Sequence, residues 1–427
     1  MTISMMNPVR VNFAGVTPDG PTGIEVFDDA NRPVDISNAA NYRLTAAAGS
    51  PRNVKSAVKG GDLNLRRHFD RFGFPAAVQI GVKQHVQEND KRFETTNWTY
   101  NGPNGNATTV PQSYAPYMNI LANKKLETSG PDFIHNLPWP SAVKAWDAFQ
   151  KNPNLFSKTA AQLVAEETAR ITNSEYIQET VSAAYFQADL RLLKNRLSMV
   201  TGVRYEKTED DGLGPLVDAG AAFQRLPSGA FARDAQNNRI RVPAAGAAGS
   251  MAELRVTRKE RAYRATRAYD GYYPSLNLSY HATDNFQIRL GYAQTYGRPD
   301  FSRIIPNATI SEANLTELQY NDPSVVRGTI NIRNTALKPW SADNYDLSLE
   351  YYTDQGGLVT VGVFRKEIKD FFGNVVKLAT AADLQELGFE PNYVGWTLST
   401  QTNTDSAQVN GLALNLKQSL GRLGSWG

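Results

Sequence analysis

The chain has 427 residues, of which 41% are hydrophobic, and its formal net charge is +3. So small a charge on this length gives no reason to expect nucleic-acid binding. The absence of cysteine excludes disulfide bonds, thiolate metal sites and cysteine nucleophiles. A negative mean hydropathy and the lack of any run of about eighteen apolar residues exclude a transmembrane helical bundle. A β-barrel is still compatible, because only alternate residues of its strands face lipid.

The first part of the chain combines short extended segments with one long irregular region. The extended segments predicted here are 9–13, 24–27, 42–47, 53–68 and 74–87. The last two form a hairpin, in which Val78, Ile80 and Val82 alternate with polar or small residues. A loop is predicted over 88–173, with helical spacing at 141–170. A loop of this length is uncommon unless it is functional or disordered.

The second part repeats a simpler unit, in which two alternating strands are joined by a short turn and followed by a long loop. The clearest example is 276–296, with its turn at 282–285. Similar hairpins are predicted at 176–207 and 344–366, and a last extended segment at 393–420. The long loops of this part are 208–269, 297–341 and 370–391.

Short turns at one end of the strands and long loops at the other are typical of outer-membrane barrels. The predicted fold class is therefore all-β, a partial antiparallel transmembrane β-barrel with short periplasmic turns and long extracellular loops. On the order of a dozen strands are expected, which need not close by themselves. Because lipid does not tolerate open strand edges, and because residues 1–10 lack the features of a secretory signal, we expect 1–427 to be an incomplete barrel domain.

Several sequence stretches, in order and with matching loop spacing, resemble the barrel of TonB-dependent receptors. They are YPSLNLSY at 273–280, TDN at 283–285, LGYAQTYGRPD at 290–300, NTALKPWSADNYDLSLEYY at 334–352 and GLVTVGVFRKEIKD at 357–370. VNG at 409–411 matches a strand start of that family, although Ala413 stands where the family usually has glutamate. The family's plug domain, TonB box and aromatic-ended last strand are not recognisable in the sequence.

The resemblance implies an outer-membrane protein of a Gram-negative-type bacterium that takes up a scarce ligand with energy supplied through TonB. The ligand would be a siderophore, cobalamin or an oligosaccharide, captured by the long loops. The implied partners are outer-membrane lipid and lipopolysaccharide, the ligand, and the TonB complex if the intact protein has a plug. No nucleic-acid partner and no cofactor are expected.

Aromatic side chains of the predicted loop 88–173 are the first candidates for ligand contact. Trp98, Tyr100, Trp139 and Trp146 have flat faces that stack on a sugar or on an aromatic chelate. The alternative is that they are packing anchors of the loop or belong to the interfacial aromatic girdle of a barrel.

A basic stretch at 255–267 supplies the second group of candidates. Arg258, Arg261 and Arg264 carry guanidinium groups that suit carboxylate or phosphate, in an anionic ligand or in lipopolysaccharide. The alternative, a solvated strand face lining a polar lumen, is favoured. Arg298 and the two residues after it are interpreted as a strand boundary, because proline fixes φ and removes a hydrogen-bond donor.

No catalytic, metal-binding or cofactor-binding residue is predicted. The sequence has no nucleophile-elbow, zinc-protease or phosphate-loop motif, and its four histidines are far apart. The acidic run 209–211 is interpreted as a solvated turn rather than a calcium loop.

Two other hypotheses remain open from the sequence. In the first hypothesis, the chain is a soluble secreted β-rich carbohydrate-binding protein or glycoside hydrolase. A glycoside hydrolase would need two carboxylates across a cleft. In the second hypothesis, the chain is a truncated gene product without activity of its own. The apolar alternate face of nearly every predicted strand disfavours the soluble alternative, because a lone soluble sheet would have to bury it.

Overall fold

The structure is a computed structural model, and the residues it describes are 2–5, 7–16, 18, 23–69, 73–102, 118–120, 138–354 and 356–418. The chain divides into two compact units. Unit 1 consists of Met1–Arg52, Phe93–Arg170 and Ala247–Leu254, and unit 2 consists of Asn53–Arg92, Ile171–Gly246 and Arg255–Gly427.

Strands make up most of the described residues, as the alternating sequence predicts. In chain order they are β1 (Thr2–Met5), β2 (Val9–Ala14), β3 (Gly23–Asp28), β4 (Tyr42–Gly49), β5 (Arg52–Phe69), β6 (Ala76–Phe93), β7 (Thr96–Tyr100), β8 (Met118–Ile120), β9 (Pro138–Pro140), β10 (Phe156–Ser157), β11 (Ser174–Leu192), β12 (Leu197–Asp218), β13 (Arg258–His281), β14 (Phe286–Gly297), β15 (Ala308–Glu312), β16 (Gly328–Ile332), β17 (Trp340–Tyr352), β18 (Leu358–Leu378) and β19 (Thr397–Lys417).

The α-helices are short and lie between strands. They are α1 (Ala142–Lys151), α2 (Ala160–Thr172), α3 (Met251–Thr257), α4 (Phe301–Ile304), α5 (Glu317–Tyr320) and α6 (Ala381–Leu387). The first two occupy most of 141–170, where the sequence has helical spacing. In the part of the chain that the structure describes, no helix is both long and apolar enough to cross a membrane.

Unit 1 is built on a small sheet with the strand order β1-β4-β7-β10. Leu44 of β4, Tyr100 of β7 and Leu155 form its buried core. The helix α1 begins after Ser141, whose hydroxyl accepts a hydrogen bond from the backbone N–H of Lys144 at 3.3 Å. Such a cap satisfies one of the backbone donors that the first turn of a helix leaves unpaired.

Unit 2 contains one large sheet in which successive long strands are neighbours. Its order along the chain is β5-β6-β11-β12-β13-β14-β17-β18-β19, and the pairs from β6 onward are antiparallel. The strands are joined at one end by short connections at 193–196, 282–285 and 353–357. The connections at the other end are long, and include 219–257, 298–339 and 379–396.

The hairpin of β15 and β16 joins two long strands of the same sheet. Residues 216–218 of β12 pair in parallel with β15, and residues 329–331 of β16 pair in parallel with 397–399 of β19. Together with β12, β13, β14, β17, β18 and β19, this hairpin closes a ring of hydrogen-bonded strands at the end that carries the long connections.

A hydrophobic core lies on one face of this hairpin. Its buried members come from five segments of unit 2 and are Tyr263, Ala308, Ile310, Ile330, Ile332, Ala379, Leu384, Leu387, Trp396 and Leu398. Burial of aliphatic side chains stabilises the fold by roughly 1.5–3 kcal/mol each. The connections 298–339 and 379–396, which supply most members of this core, are therefore packed structure rather than loose loops.

Aliphatic side chains form rows across the outer face of the sheet. In one row, neighbouring strands place Leu278, Leu290, Leu347, Val363 and Leu412 opposite one another. Leu290, Leu347, Val363 and Leu412 are all exposed, with between 37% and 65% of their surface accessible. Soluble monomers rarely expose a contiguous apolar patch of this extent, whereas a barrel wall needs one against lipid.

Two predicted loops are shorter in the structure than in the sequence-based prediction. In place of 208–269, the connection is 219–257, because β12 continues to Asp218 and β13 begins at Arg258. In place of 370–391, it is 379–396. The added strand ends do not separate apolar and polar residues onto opposite faces, so they lack the alternation that predicts a strand. The predicted loop 88–173 likewise contains part of β6, all of β7 and both α1 and α2.

We expect Gly214→Ala to break the contact between β12 and the segment before β15. A Cβ at this position would lie 1.4 Å from the backbone oxygen of Pro306, and overpacking usually costs about 1–3 kcal/mol. Hydrogen exchange of the detergent-purified chain should become faster at 216–218 and 308–310.

The matched control is Gly61→Ala, since a Cβ at Gly61 meets no atom within 4 Å. Its effect on the free energy of unfolding should stay within about 0.5 kcal/mol. Equal exchange rates in the two variants would contradict the close packing of Gly214.

A second prediction concerns the pH dependence of α6. Burial raises the pKa of Asp383, but hydrogen bonds from Lys377, at 2.7 Å, and from the backbone and hydroxyl of Thr380 outweigh burial and lower the pKa from 3.8 to about 2. Because the folded-state pKa is the lower one, this carboxylate stabilises α6 fully above pH 3.8, and the stabilisation is lost as the pH falls toward 2.

Hydrogen exchange at 381–387, corrected for its intrinsic pH dependence, should therefore reveal easier opening of α6 between pH 4 and pH 2. The Asp383→Asn variant should lack this change. Glu386→Gln, on the exposed side of the same helix, is the control and should behave like the wild type. A pH response retained in Asp383→Asn would refute the assignment.

Candidate ligand-binding surfaces

Two of the predicted aromatic residues line one cavity in unit 1. Trp98 lies on β7 and Trp146 on α1, and the cavity between them has a volume of about 210 Å³. We call it the aromatic cavity; its other lining residues are Ala47, Ala48, Ala142, Ala145, Phe149 and Phe156. The Trp146 side chain is 57% exposed, so a ligand can reach its ring.

Neighbouring rings and one ion pair hold the aromatic cavity in place. The ring of Phe149 is 5.6 Å from that of Trp146 and 6.0 Å from that of Phe156. Lys158 Nζ lies 4.6 Å from the centre of the Trp98 ring and 2.5 Å from a carboxylate oxygen of Glu166. Cation–π contacts of this kind stabilise and orient an aromatic side chain. The alanines of β4 and α1 leave the space that a flat ring could fill.

The other two predicted aromatic residues do not join this cavity. Tyr100 is only 3% exposed and packs in the core of unit 1, with its ring 5.3 Å from that of Phe156. Its position agrees with the packing-anchor alternative. The backbone of Trp139 belongs to β9, but its side chain lies outside what the structure describes.

The three predicted arginines lie on β13 and not in a loop. Arg264 is exposed on the strand and forms a two-bond ion pair with Asp211, at 2.7 and 2.9 Å. Arg261 binds Asp90 and the backbone oxygen of Glu175. The Arg258 guanidinium donates to Thr257 at 3.2 Å. Ion pairs therefore already hold Arg261 and Arg264 within the chain, as expected of a strand face rather than an anion site.

A local irregularity in the β12–β13 pairing directs the Arg261 side chain toward Asp90 and the backbone oxygen of Glu175. The register of β12 against β13 shifts between Gly214 and Leu216, and Arg261 has a φ of 49°. Shifts of this kind bend the strand and redirect a side chain. The same shift lets Leu216 pair with β15.

A network of buried ion pairs joins β11 and β12 to the segment after β14. The Arg298 guanidinium donates to Glu206 at 2.9 Å and to Glu179 at 3.3 Å. The carboxylate of Glu175 accepts from Arg333 at 2.6 Å and from Lys91 at 3.0 Å. The side chains of the three glutamates are 5–8% exposed. Buried charges require partners of this quality, because an unpaired one is costly.

A second cavity, of about 550 Å³, lies in unit 2 beside the β15–β16 hairpin. We call it the polar cavity. Its lining residues are Ser302, Arg303, Asn307, Thr309, Asn331, Ile332, Arg333, Asn374, Ser399, Thr400 and Gln401. They come from α4, β15, β16, β18, β19 and the adjoining connections, so the cavity is assembled where the hairpin meets the ends of the long strands.

The sequence does not single out these residues. Arg298 is interpreted there as a strand boundary, which agrees with the end of β14 at Gly297, but its pairing with Glu179 spans 119 positions of the chain. The polar cavity likewise combines segments almost a hundred residues apart. No local pattern predicts such contacts; only the strand order brings them together.

Comparison with known proteins identifies the class of this chain. The model of the TonB-dependent receptor-like β-barrel family matches residues 7–427. The chain therefore belongs to the family of TonB-dependent receptor barrels, and the resemblance deduced from 273–300 and 334–370 is confirmed. The fold class predicted from the sequence, an all-β antiparallel transmembrane barrel with short periplasmic turns and long extracellular loops, is confirmed with it. A search of curated proteins finds no match.

Solved structures with similarity to this chain include several receptors. The ferric-catecholate import receptor Fiu of E. coli K12 in its closed form has 12% identity and a TM-score of 0.41, over 93% of this chain and 41% of that one. The unliganded ferric citrate transporter FecA has 11% identity and a TM-score of 0.39, over 94% and 35%. The Serratia marcescens hemophore receptor HasR, in complex with HasA and heme, has 10% identity and a TM-score of 0.34, over 93% and 51%. The chain thus spans about half the length of these proteins or less.

We expect Arg298→Met to destabilise unit 2 strongly. The change leaves Glu179 without its guanidinium partner, and among the described residues Glu206 keeps only Arg204 and the Tyr296 hydroxyl. Removing one partner of a buried pair typically costs about 3–5 kcal/mol. The free energy of unfolding in urea, measured on the chain in detergent micelles, should fall by that amount.

Adding Glu179→Gln should restore part of the lost stability, because it removes one of the stranded charges. Arg365→Met, which breaks an exposed pair with Glu367, is the control and should cost less than about 1 kcal/mol. Equal effects of Arg298→Met and Arg365→Met would show that the buried network is not stabilising.

Proposed function

We propose that this chain forms the barrel of an outer-membrane receptor that takes up a scarce ligand with energy from the TonB complex. The observation that carries the proposal is the row of exposed aliphatic side chains across four neighbouring strands of unit 2. In a chain of the TonB-dependent receptor family, this row is the surface that contacts outer-membrane lipid.

Tyrosines on both sides of the aliphatic rows support the same placement. Tyr345 and Tyr292 have their rings 5.2 Å apart, and on the other side of the rows Tyr351 pairs with Phe286. Six residues separate Tyr345 from Tyr351 along β17, which is about 20 Å of strand at 3.3 Å per residue. Aromatic girdles flank the apolar band of outer-membrane barrels in this way. Lipid and lipopolysaccharide are accordingly the proposed surroundings of the sheet.

The long connections would then face the outside of the cell and capture the ligand. The ligand classes implied by the family are siderophores, cobalamin and oligosaccharides. The aromatic cavity, with Trp98 and Trp146, is the proposed contact surface for a flat ring in unit 1. A plug elsewhere in the intact protein would gate the lumen and contact the TonB complex. The family match does not support a soluble carbohydrate-binding protein or glycoside hydrolase, and we propose no enzymatic activity.

The test is uptake by cells that produce the intact gene product containing this chain. Labelled ferric siderophores, cobalamin and oligosaccharides are offered to wild-type cells, to cells lacking this gene and to cells lacking TonB. We expect uptake of one class to be lost in both deletion strains. Uptake that depends on this gene but not on TonB, or no class that depends on the gene, would refute the proposal.

A variant of the aromatic cavity extends the same assay. Trp146→Ala should weaken the apparent affinity for the ligand about 2- to 10-fold, the range expected for one lost ring contact. Val143→Ala, on the same helix but not lining the cavity, is the control and should leave uptake unchanged. Equal uptake by the two variants would remove Trp146 from the ligand path.

A further inference from the structure

The polar cavity of unit 2 has a lining suited to a particular kind of ligand. Its side chains are amides, hydroxyls and two guanidinium groups, with Ile332 as the apolar exception, and none of the described residues lining it is acidic. Its volume of about 550 Å³ is within the range of about 300–1,000 Å³ found for ligand pockets. The cavity thus offers many hydrogen-bonding groups beside apolar surface of similar extent.

The two guanidinium groups of the cavity differ in their surroundings. Arg333 is ion-paired with the buried carboxylate of Glu175, at 2.6 Å, which also accepts from Lys91 at 3.0 Å. Arg303 has no acidic partner among the described residues; its Nη1 donates to the side-chain oxygen of Gln401 at 3.2 Å. Arg303 is therefore the guanidinium of the cavity that has no ion pair within the described part of the chain. Arginine presents a planar fork that matches a carboxylate with two hydrogen bonds.

Several uncharged polar side chains of the cavity are available to a ligand. Ser302, Asn307, Asn331 and Ser399 have no side-chain hydrogen bond within the described part of the chain, and the hydroxyl oxygen of Thr400 is buried without a partner. A buried polar group without a partner is costly unless a ligand or water satisfies it. Closely spaced hydroxyls on a ligand would meet both donors and acceptors here.

These observations exclude some ligand chemistries and favour one. A ligand with several negative charges would meet only one guanidinium without an ion pair, and an apolar ring would leave the amides and hydroxyls unpaired. From the lining we infer that the polar cavity binds a sugar that carries one carboxylate, an acidic saccharide, with the carboxylate on Arg303 and the hydroxyls on the surrounding amides and hydroxyls. This inference names the ligand class for the proposed receptor function, on which it rests.

The hairpin gives the cavity a firm wall. Thr309 and Asn331 are opposite each other in the β15–β16 pair and line the cavity, whereas their neighbours Ile310 and Ile330 are buried in the core on the other side. Gln401 of β19 is in turn bound to Asn374 of β18 at 2.9 Å. A site built on paired strands holds its polar groups at fixed spacing, which discriminates between ligands.

The experiment measures binding by the full chain, purified in detergent, with two disaccharides as probes. One is an aldobiouronic acid, glucuronic acid linked to xylose, which carries a single carboxylate; the other is the neutral disaccharide xylobiose. Isothermal titration calorimetry should give at least about tenfold tighter binding of the acidic probe. The preference should diminish as the salt concentration rises.

Substitutions at Arg303 separate charge from shape. Arg303→Gln should weaken binding of the acidic disaccharide about 10- to 100-fold and leave xylobiose binding within about twofold, which also reports that the variant is folded. Arg303→Lys should retain part of the preference, since it keeps the charge and loses the fork. Arg327→Gln, whose guanidinium binds the Tyr320 backbone oxygen outside the cavity at 2.9 Å, is the matched control and should bind like the wild type.

Three results would overturn the inference: equal affinity for the two disaccharides, no binding of either at millimolar concentration, or an unchanged preference in Arg303→Gln. The uptake assay separates this failure from that of the receptor proposal. TonB-dependent uptake of another ligand class would leave the receptor proposal standing and refute only the acidic saccharide. Binding of the acidic probe without any TonB-dependent uptake would leave the assignment of the polar cavity standing and refute the receptor proposal.

Discussion

Strand pairing is the constraint on which unit 2 depends. Within lipid, every backbone N–H and C=O group has to be satisfied by the protein itself, which β-strands achieve only through their neighbours. Pairing also fixes register, and a shift of one residue would move every side chain of a strand to the opposite face. The row of Leu290, Leu347, Val363 and Leu412 on the outer face exists because each strand keeps its register with the next.

The same registers bring the charged residues of the inner face together. Glu175 and Glu179 are four residues apart on β11 and so point to one side of the sheet, where Arg333 and Arg298 meet them. Charges can be buried here because each has a partner within hydrogen-bond distance. Arg298 and Arg333 come from connections, and Lys91 comes from the neighbouring strand β6. The ion pairs therefore fasten the connections after β14 and β16 to the wall formed by β11 and β12.

The strands that the sequence predicts correctly are those with one apolar and one polar face. In 276–296, for example, alternation alone identifies both strands and the turn between them, and β13 and β14 end and begin as expected around it. The first part of β13 is different. From Arg258 to Arg267 its two faces are both polar, since it extends past the apolar rows, and without a contrast between the faces the alternation signal disappears.

The candidate sites were only partly predictable for a related reason. Trp98 and Trp146 could be chosen by residue type, because their flat rings can stack on a ligand. Tyr100, two residues after Trp98, is on the same face of β7. Nothing local indicates that Tyr100 is buried in the core while Trp98 lines a cavity; that depends on which segments pack over each residue. Arg303 and Gln401 are 98 positions apart, and their proximity follows from strand order alone.

The β15–β16 hairpin contributes both to the buried core of unit 2 and to the lining of the polar cavity. Alternate residues of its two strands face the core and the polar cavity, so Ile310 and Ile330 cannot be repacked without moving Thr309 and Asn331. Protein interiors are close-packed and respond to volume changes by shifting neighbouring elements. The core on one face of the hairpin thus sets the spacing of the polar groups on the other. Loss of apolar contacts there should widen the cavity even though none of the altered residues would touch a ligand.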